Sequence, residues 1–179
     1  MKVLALLLVL LTTGCLHSEE IDVRILREKG DPSVMVMEQA NFYSSETDPE
    51  KMRQDFDQLI RNWRSEESLA EGAADGFQIK GRELFLRDGK IVLRTTGILQ
   101  TLAFTDEVQI SESSITLTVK EDIVETNGRI SDTDLKKIIW PKDASELHVK
   151  LREELRESYK ASQPQMVQLM QLYLAAREK

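Results

Sequence analysis

The side chains that carry most nucleophilic and acid–base chemistry are scarce in this chain: two histidines, His17 and His148, and one cysteine, Cys15. Histidine is the usual general base near neutral pH because its unperturbed pKa lies near about 6.5. His17 sits in a short polar stretch near the N-terminus, with no scaffold around it to build a catalytic centre. His148 follows Ser145 by three residues, a spacing that puts a hydroxyl and a base on one helix face. No Gly-x-Ser-x-Gly elbow accompanies them, and Ser145 is accounted for as a helix cap. No His-x-x-x-His or His-Glu-x-x-His spacing supplies zinc ligands. Asp132-x-Asp134 opens as a calcium loop opens, but Lys136 and Lys137 stand where oxygen ligands and a glycine are needed. The adjacent acids Glu66-Glu67, Asp106-Glu107, Glu121-Asp122 and Glu153-Glu154 would serve glycoside hydrolysis only if two of them converged to about 5–9 Å. Gly72, Gly76 and Gly81 match no phosphate-cradling or dinucleotide loop. The residues therefore imply no catalytic group, no metal and no cofactor.

Composition narrows the remaining classes. A chain of 179 residues, 41% apolar and 31% charged, is long enough to bury roughly 70% of its unfolded surface as one domain. With 31 acidic and 24 basic side chains and a net charge of −7, it repels polyphosphate on average, so nucleic acid is not an expected partner.

The N-terminus is read separately from the fold. One lysine precedes an unbroken apolar run from Val3 to Leu11, and Thr12-Thr13-Gly14-Cys15 follows. Nine apolar residues span about 14 Å as a helix, too short to cross a bilayer, and the pattern is that of a secretory signal peptide. Gly14-Cys15 resembles the lipobox of bacterial lipoproteins, with Leu11 one position upstream of the family's usual leucine. That resemblance implies cleavage after residue 14 and acylation of Cys15. Three acyl chains at about 0.8 kcal/mol per buried methylene anchor a protein durably, and acylation would also consume a lone thiol that no second cysteine can pair. Leu16, in place of the aspartate that retains such proteins at the inner membrane, implies the periplasmic face of the outer membrane. Residues 15–20 then read as a lipidated tether and residues 21–179 as a single α+β domain.

Within that domain, Ile21, Val23 and Ile25 alternate ahead of Gly30-Asp31-Pro32, and Val34 to Phe42 resume the pattern, predicting a hairpin. Asp48-Pro49 caps a helix over residues 49–65 with Met52, Phe56, Leu59, Ile60 and Trp63 on one face. Asp88-Gly89 suits a two-residue primed turn that pairs Arg87 with Lys90, Leu86 with Ile91, Phe85 with Val92 and Leu84 with Leu93. Both faces of that hairpin are partly apolar, as expected of a hairpin that is central and covered on both sides, or strongly curved. Further strands are expected at 107–111, 115–120, 123–127 and 136–140, and helices at 145–160 and 164–178. The expected architecture is α+β: an antiparallel meander sheet covered by one internal helix and two C-terminal helices.

What remains for function is binding. The last helix has more apolar positions than one core stripe requires, and Met166, Leu169, Met170 and Tyr173 form a candidate partner surface. The expectation is a non-enzymatic envelope lipoprotein, held to the membrane through lipid on Cys15 and contacting another envelope protein. The alternative is a carrier of lipid or a small apolar ligand, with a half-barrel cavity between sheet and helices.

Overall fold

The computed structural model describes residues 16–28, 32–66, 76–102, 107–131 and 136–177. Cys15, the segment before it, and the Asp132-x-Asp134 pair lie outside the described residues. In chain order the elements are β1 (Leu16–Leu26), β2 (Ser33–Ser44), α1 (Pro49–Arg64), β3 (Phe77–Arg87), β4 (Lys90–Leu99) and β5 (Val108–Ile110). They continue with β6 (Ser114–Val119), β7 (Asp122–Thr126), β8 (Arg129–Ser131), β9 (Lys136–Pro141), β10 (Glu146–Arg152), α2 (Glu157–Lys160) and α3 (Gln163–Arg177). The class is α+β, with every strand pairing antiparallel.

A single meander is corrected to two sheets. The long one runs β3-β4-β2-β1-β10-β7 and the short one β5-β6-β9-β8. Asn127-Gly128 turns the chain from one sheet to the other instead of closing a hairpin. The Asn127 side-chain oxygen accepts from the His148 backbone N–H in the long sheet (2.9 Å) and from the Trp140 indole N–H in the short one (2.7 Å). Gly128 passes so close that an added Cβ would lie 2.5 Å from Ile138 Cγ2 and 2.7 Å from the Trp140 ring.

One face of the long sheet is covered in two halves. Val23, Ile25, Met35, Met37, Leu147 and Val149 pack against Ile115, Leu117, Ile138 and Trp140 of the short sheet. Leu84, Ile91 and Leu93 pack against Phe56 and Leu59 of α1 and Met166 and Met170 of α3. Cross-strand register makes this one continuous face: Leu93 pairs with Gln39, two residues along β2 from Met37. α1 forms as its caps require, the Asp48 carboxylate accepting from the N–H groups of Glu50 (2.9 Å) and Lys51 (3.1 Å) ahead of Pro49 at the first position.

Three further expectations are corrected. The helix expected over 145–160 is β10 followed by the single turn of α2, so there is one internal helix and one full C-terminal helix. Leu147, Val149 and Leu151 alternate as well as repeat, and the strand buries all three. The tether expected at residues 15–20 is, from Leu16 onward, β1 itself: Leu16 is 1% exposed and already packed under the helices. The β3–β4 hairpin has the expected turn and register, with Asp88 at φ 52° and Gly89 at φ 72°. It is not central, however, because β3 is the edge of the long sheet.

Candidate functional site

Antiparallel register stacks side chains into rows across the face of the long sheet that neither the short sheet nor α1 and α3 cover. One row crosses all six strands: Glu83, Arg94, Glu38, Asp22, Lys150 and Glu125 are successive cross-strand partners. The adjacent row runs Phe85, Val92, Ala40, Glu20, Arg152 and Asp122. On the other side lie Thr96, Val36, Arg24 and His148. Two carboxylates, Glu38 and Asp22, stand directly opposite each other, an arrangement that costs stability unless each has its own cation.

Each does. Glu38 accepts from Arg87 (2.6 Å) and Arg94 (2.8 Å), and Arg94 also reaches Glu83 (3.1 Å). Burial pushes the Glu38 carboxyl up, but its hydrogen bonds from Arg87 and Arg94 outweigh that and hold it below the usual carboxylate range. Asp22 meets His148 Nε2 at 3.1 Å and Arg24 at 3.6 Å, and His148 Nδ1 lies 4.0 Å from Glu125. Glu20, 7% exposed, sits under Lys150 (3.0 Å), Lys90 (3.1 Å) and Arg152 (3.1 Å). Burial raises its pKa, yet hydrogen bonds and charge from Lys150 and Lys90 bring it down to about 2. The Arg87 and Arg94 guanidiniums also roof the Phe85 ring at 5.9 and 5.1 Å from its centroid, which is how the second apolar face of the hairpin is covered.

The centre of the face is layered, with Glu20, Asp22 and Glu38 at 8–24% side-chain exposure beneath the cations of Arg24, Arg87, Lys90, Arg94 and Arg152 at 37–53%, whereas Glu83, Asp122 and Glu125 on the two outermost strands are themselves 63–66% exposed. Between them runs a groove of about 540 Å³ lined by Asp22, Arg24, Val36, Glu38, Arg87, Arg94 and Thr96. Leu26 and Val34, cross-strand partners at 46% and 43% exposure, form an apolar margin at one end of this face. At the other end Tyr43 stacks with His17 and Tyr159, ring centroids 5.4 and 5.9 Å apart. Burial, with Glu153 and Glu19 adding to it, pushes the Tyr43 phenol well above its ordinary range and keeps it neutral.

The residues singled out from sequence fare differently. Met166 and Met170 are completely buried, while Leu169 and Tyr173 are partly buried against the same cluster, so two of the four residues of the candidate partner surface on the last helix are core. The surplus apolar positions cover the sheet together with α1. Ser145 lies in the turn before β10, where its carbonyl accepts from the Arg27 N–H (2.8 Å); it caps no helix. His148 is buried against Asp22. Among the described residues no group of three or more His, Cys, Asp and Glu side chains converges as a metal site would require. No described helix is long and apolar enough to cross a membrane. Rows of alternating charge were invisible in the sequence because they depend on which strands are neighbours: Glu20, Asp22 and Arg24 gave only a polar alternation.

A second feature lies between the sheets: an apolar cavity of about 70 Å³ walled mainly by Ile21, Val23, Ile25, Met37, Leu117, Trp140, Leu147 and Val149, with Glu121 at its margin. It is less than half the size of a dry cavity of about 150 Å³ that admits one benzene ring. The space between sheet and helices expected to hold a ligand is filled by Met166 and Met170. No protein-family model, curated protein or solved structure matches this chain.

Proposed function

We propose that this chain is a non-catalytic binding domain of the bacterial cell envelope, anchored through lipid on Cys15 to the periplasmic face of the outer membrane, and that it grips a protein partner with the charged face of its long sheet. The observation that supports the partner surface is the layering of that face. At its centre Glu20, Asp22 and Glu38 are held inside beneath outward guanidinium and ammonium groups, and an apolar margin of Leu26 and Val34 adjoins them. Exposed arginine beside apolar surface is the composition that interface centres favour, and outward cations steer an acidic partner into register. The anchor reading is supported by the apolar run before Gly14-Cys15.

The test is a photo-crosslinking residue placed at Val36, inside the groove, in cells carrying either Arg24 or Arg24→Glu. Arg24 is 53% exposed on its side chain, so reversing it leaves the core intact. One crosslinked partner band that the reversal abolishes is the expected outcome. Bands equally strong in both cells, or none, would remove the charged face from the account.

The carrier reading keeps one supporting observation, the apolar cavity between the sheets. Its size suits a few methyl-sized groups and is far below an acyl chain, so the partner-binding reading is preferred.

A further inference from the structure

At the β3 edge, Arg64 and Lys80 line one groove, and Arg177 shares the Trp63 and Tyr173 rings with Arg64; none of the three has an acidic partner among the described residues. Elsewhere on the long sheet Arg24, Arg87, Lys90, Arg94, Lys150 and Arg152 are matched to carboxylates, and Arg82 donates to the backbone carbonyls of Asn62 (3.1 Å) and Ser65 (2.7 Å). Arg64, at the last turn of α1, and Arg177, at the end of α3, both lie over the same two rings. Arg64 is 5.6 Å from the centroids of Trp63 and Tyr173, and Arg177 is 5.4 and 5.8 Å from them. Arg64 also donates to the Tyr173 hydroxyl at 2.6 Å, which leaves that hydroxyl's own hydrogen free to donate. Lys80, from β3, lines a groove with Trp63 and Arg64. Among the described residues none of Arg64, Lys80 and Arg177 makes an ion pair.

Helix-dipole stabilisation accounts for Arg64 at a helix C-terminus, and ring quadrupoles account for part of the attraction of both guanidiniums. Neither explains Lys80. The pairing of β3 with β4 shifts between Ile79 and Gly81, making Lys80 the extra residue of a β-bulge. Bulges re-aim a side chain out of the ladder, and this one puts Lys80 into a groove of about 350 Å³ that it lines with Trp63, Arg64, Ile79, Gly81 and Arg82. The volume falls in the range of small-molecule sites, about 300–1,000 Å³. A like-charged cluster on an acidic chain, with an aromatic wall and one free phenolic donor, lacks an anion to complete it.

We propose that this groove binds a phosphate ester: Arg64 and Lys80 hold the phosphate oxygens, the Tyr173 hydroxyl donates a further hydrogen bond, and the organic portion lies against Trp63 and Ile79. Free phosphorylated solutes and phospholipid headgroups share this chemistry. The inference does not depend on the Cys15 anchor or on the charged face.

Calorimetric titration of the purified natural protein at fixed ionic strength tests it, using glycerol 3-phosphate, dihexanoylphosphatidylglycerol below its micelle concentration, and dihexanoylphosphatidylcholine as the zwitterionic control. Saturable binding of glycerol 3-phosphate identifies a soluble ester as the source. Binding of the phosphatidylglycerol alone identifies a lipid headgroup. In either case Lys80→Ala, whose exposed side chain has no partner to lose, should raise Kd by about tenfold, the worth of one charge-assisted contact. Arg64→Gln should do the same. Heat from neither anion, equal binding of the phosphatidylcholine, or an unchanged Kd in Lys80→Ala would overturn the site.

Discussion

Glu20 concentrates the electrostatics of the charged face. Its folded pKa of about 2 lies below the ordinary value of 4.5, so the carboxylate contributes stability that is fully present above pH ~4.5 and is lost as pH falls toward about 2. The shift corresponds to about 3 kcal/mol. Glu20→Gln should therefore destabilise by about 1–3 kcal/mol at pH 7, because it strands three cations that water partly solvates. Urea unfolding of both proteins between pH 7 and pH 2.5 checks this: the gap should narrow steadily below pH 4.5, and a constant gap would mean that Lys90 and Lys150 do not hold the carboxylate. Gly128 is critical for a different reason. Any Cβ there meets Ile138 and the Trp140 ring at under 3 Å, so Gly128→Ala should cost about 1–3 kcal/mol by overpacking, read as a lower urea midpoint with an unchanged slope.

Among the elements, α3 decides how the long sheet is closed. Met170→Ala empties a completely buried position between sheet and α1 and should cost about 2–4 kcal/mol. Leu172→Ser, on the exposed side of the same helix at 63%, should change stability by under about 0.5 kcal/mol. Similar losses from both would contradict the assignment of faces. The elements readable in the sequence were those specified by their own residues: α1 by Asp48-Pro49 and its apolar spacing, and the β3–β4 register by Asp88-Gly89. β10 was not, since leucines at 147, 151 and 155 satisfy a helix while Leu147, Val149 and Leu151 satisfy a strand. Only pairing with β1 settles that choice, and it extends from Glu20–Arg152 to Leu26–Glu146. The two-sheet division was hidden for the same reason. β7 joins β10 rather than its sequence neighbours, a long-range pairing with no local marker. Asn41, at φ 64° within β2, sits inside the stretch from Gln39 to Ser44 where alternation gives way to continuous burial. There Asn41 donates to Glu19 and accepts from Gln163.

For the whole molecule, the two faces of the long sheet divide the work. One is closed by the short sheet and the helices, and the other is left open as ordered rows of charge whose register depends on five strand pairings at once. Of the binding surface expected on the last helix, Met166 and Met170 serve closure, while the open face is assembled from residues that look like ordinary polar alternation. β1 begins the described structure with Leu16 already buried, so a lipid on Cys15 would hold the domain directly against the bilayer, with no slack between anchor and sheet. Intact-mass spectrometry of the natural protein extracted from membranes of a Gram-negative host tests this account most directly. The expected mass lacks residues 1–14 and carries acyl chains on an N-terminal Cys15; a species that begins at Met1, or one that begins at Cys15 without added acyl mass, would contradict it.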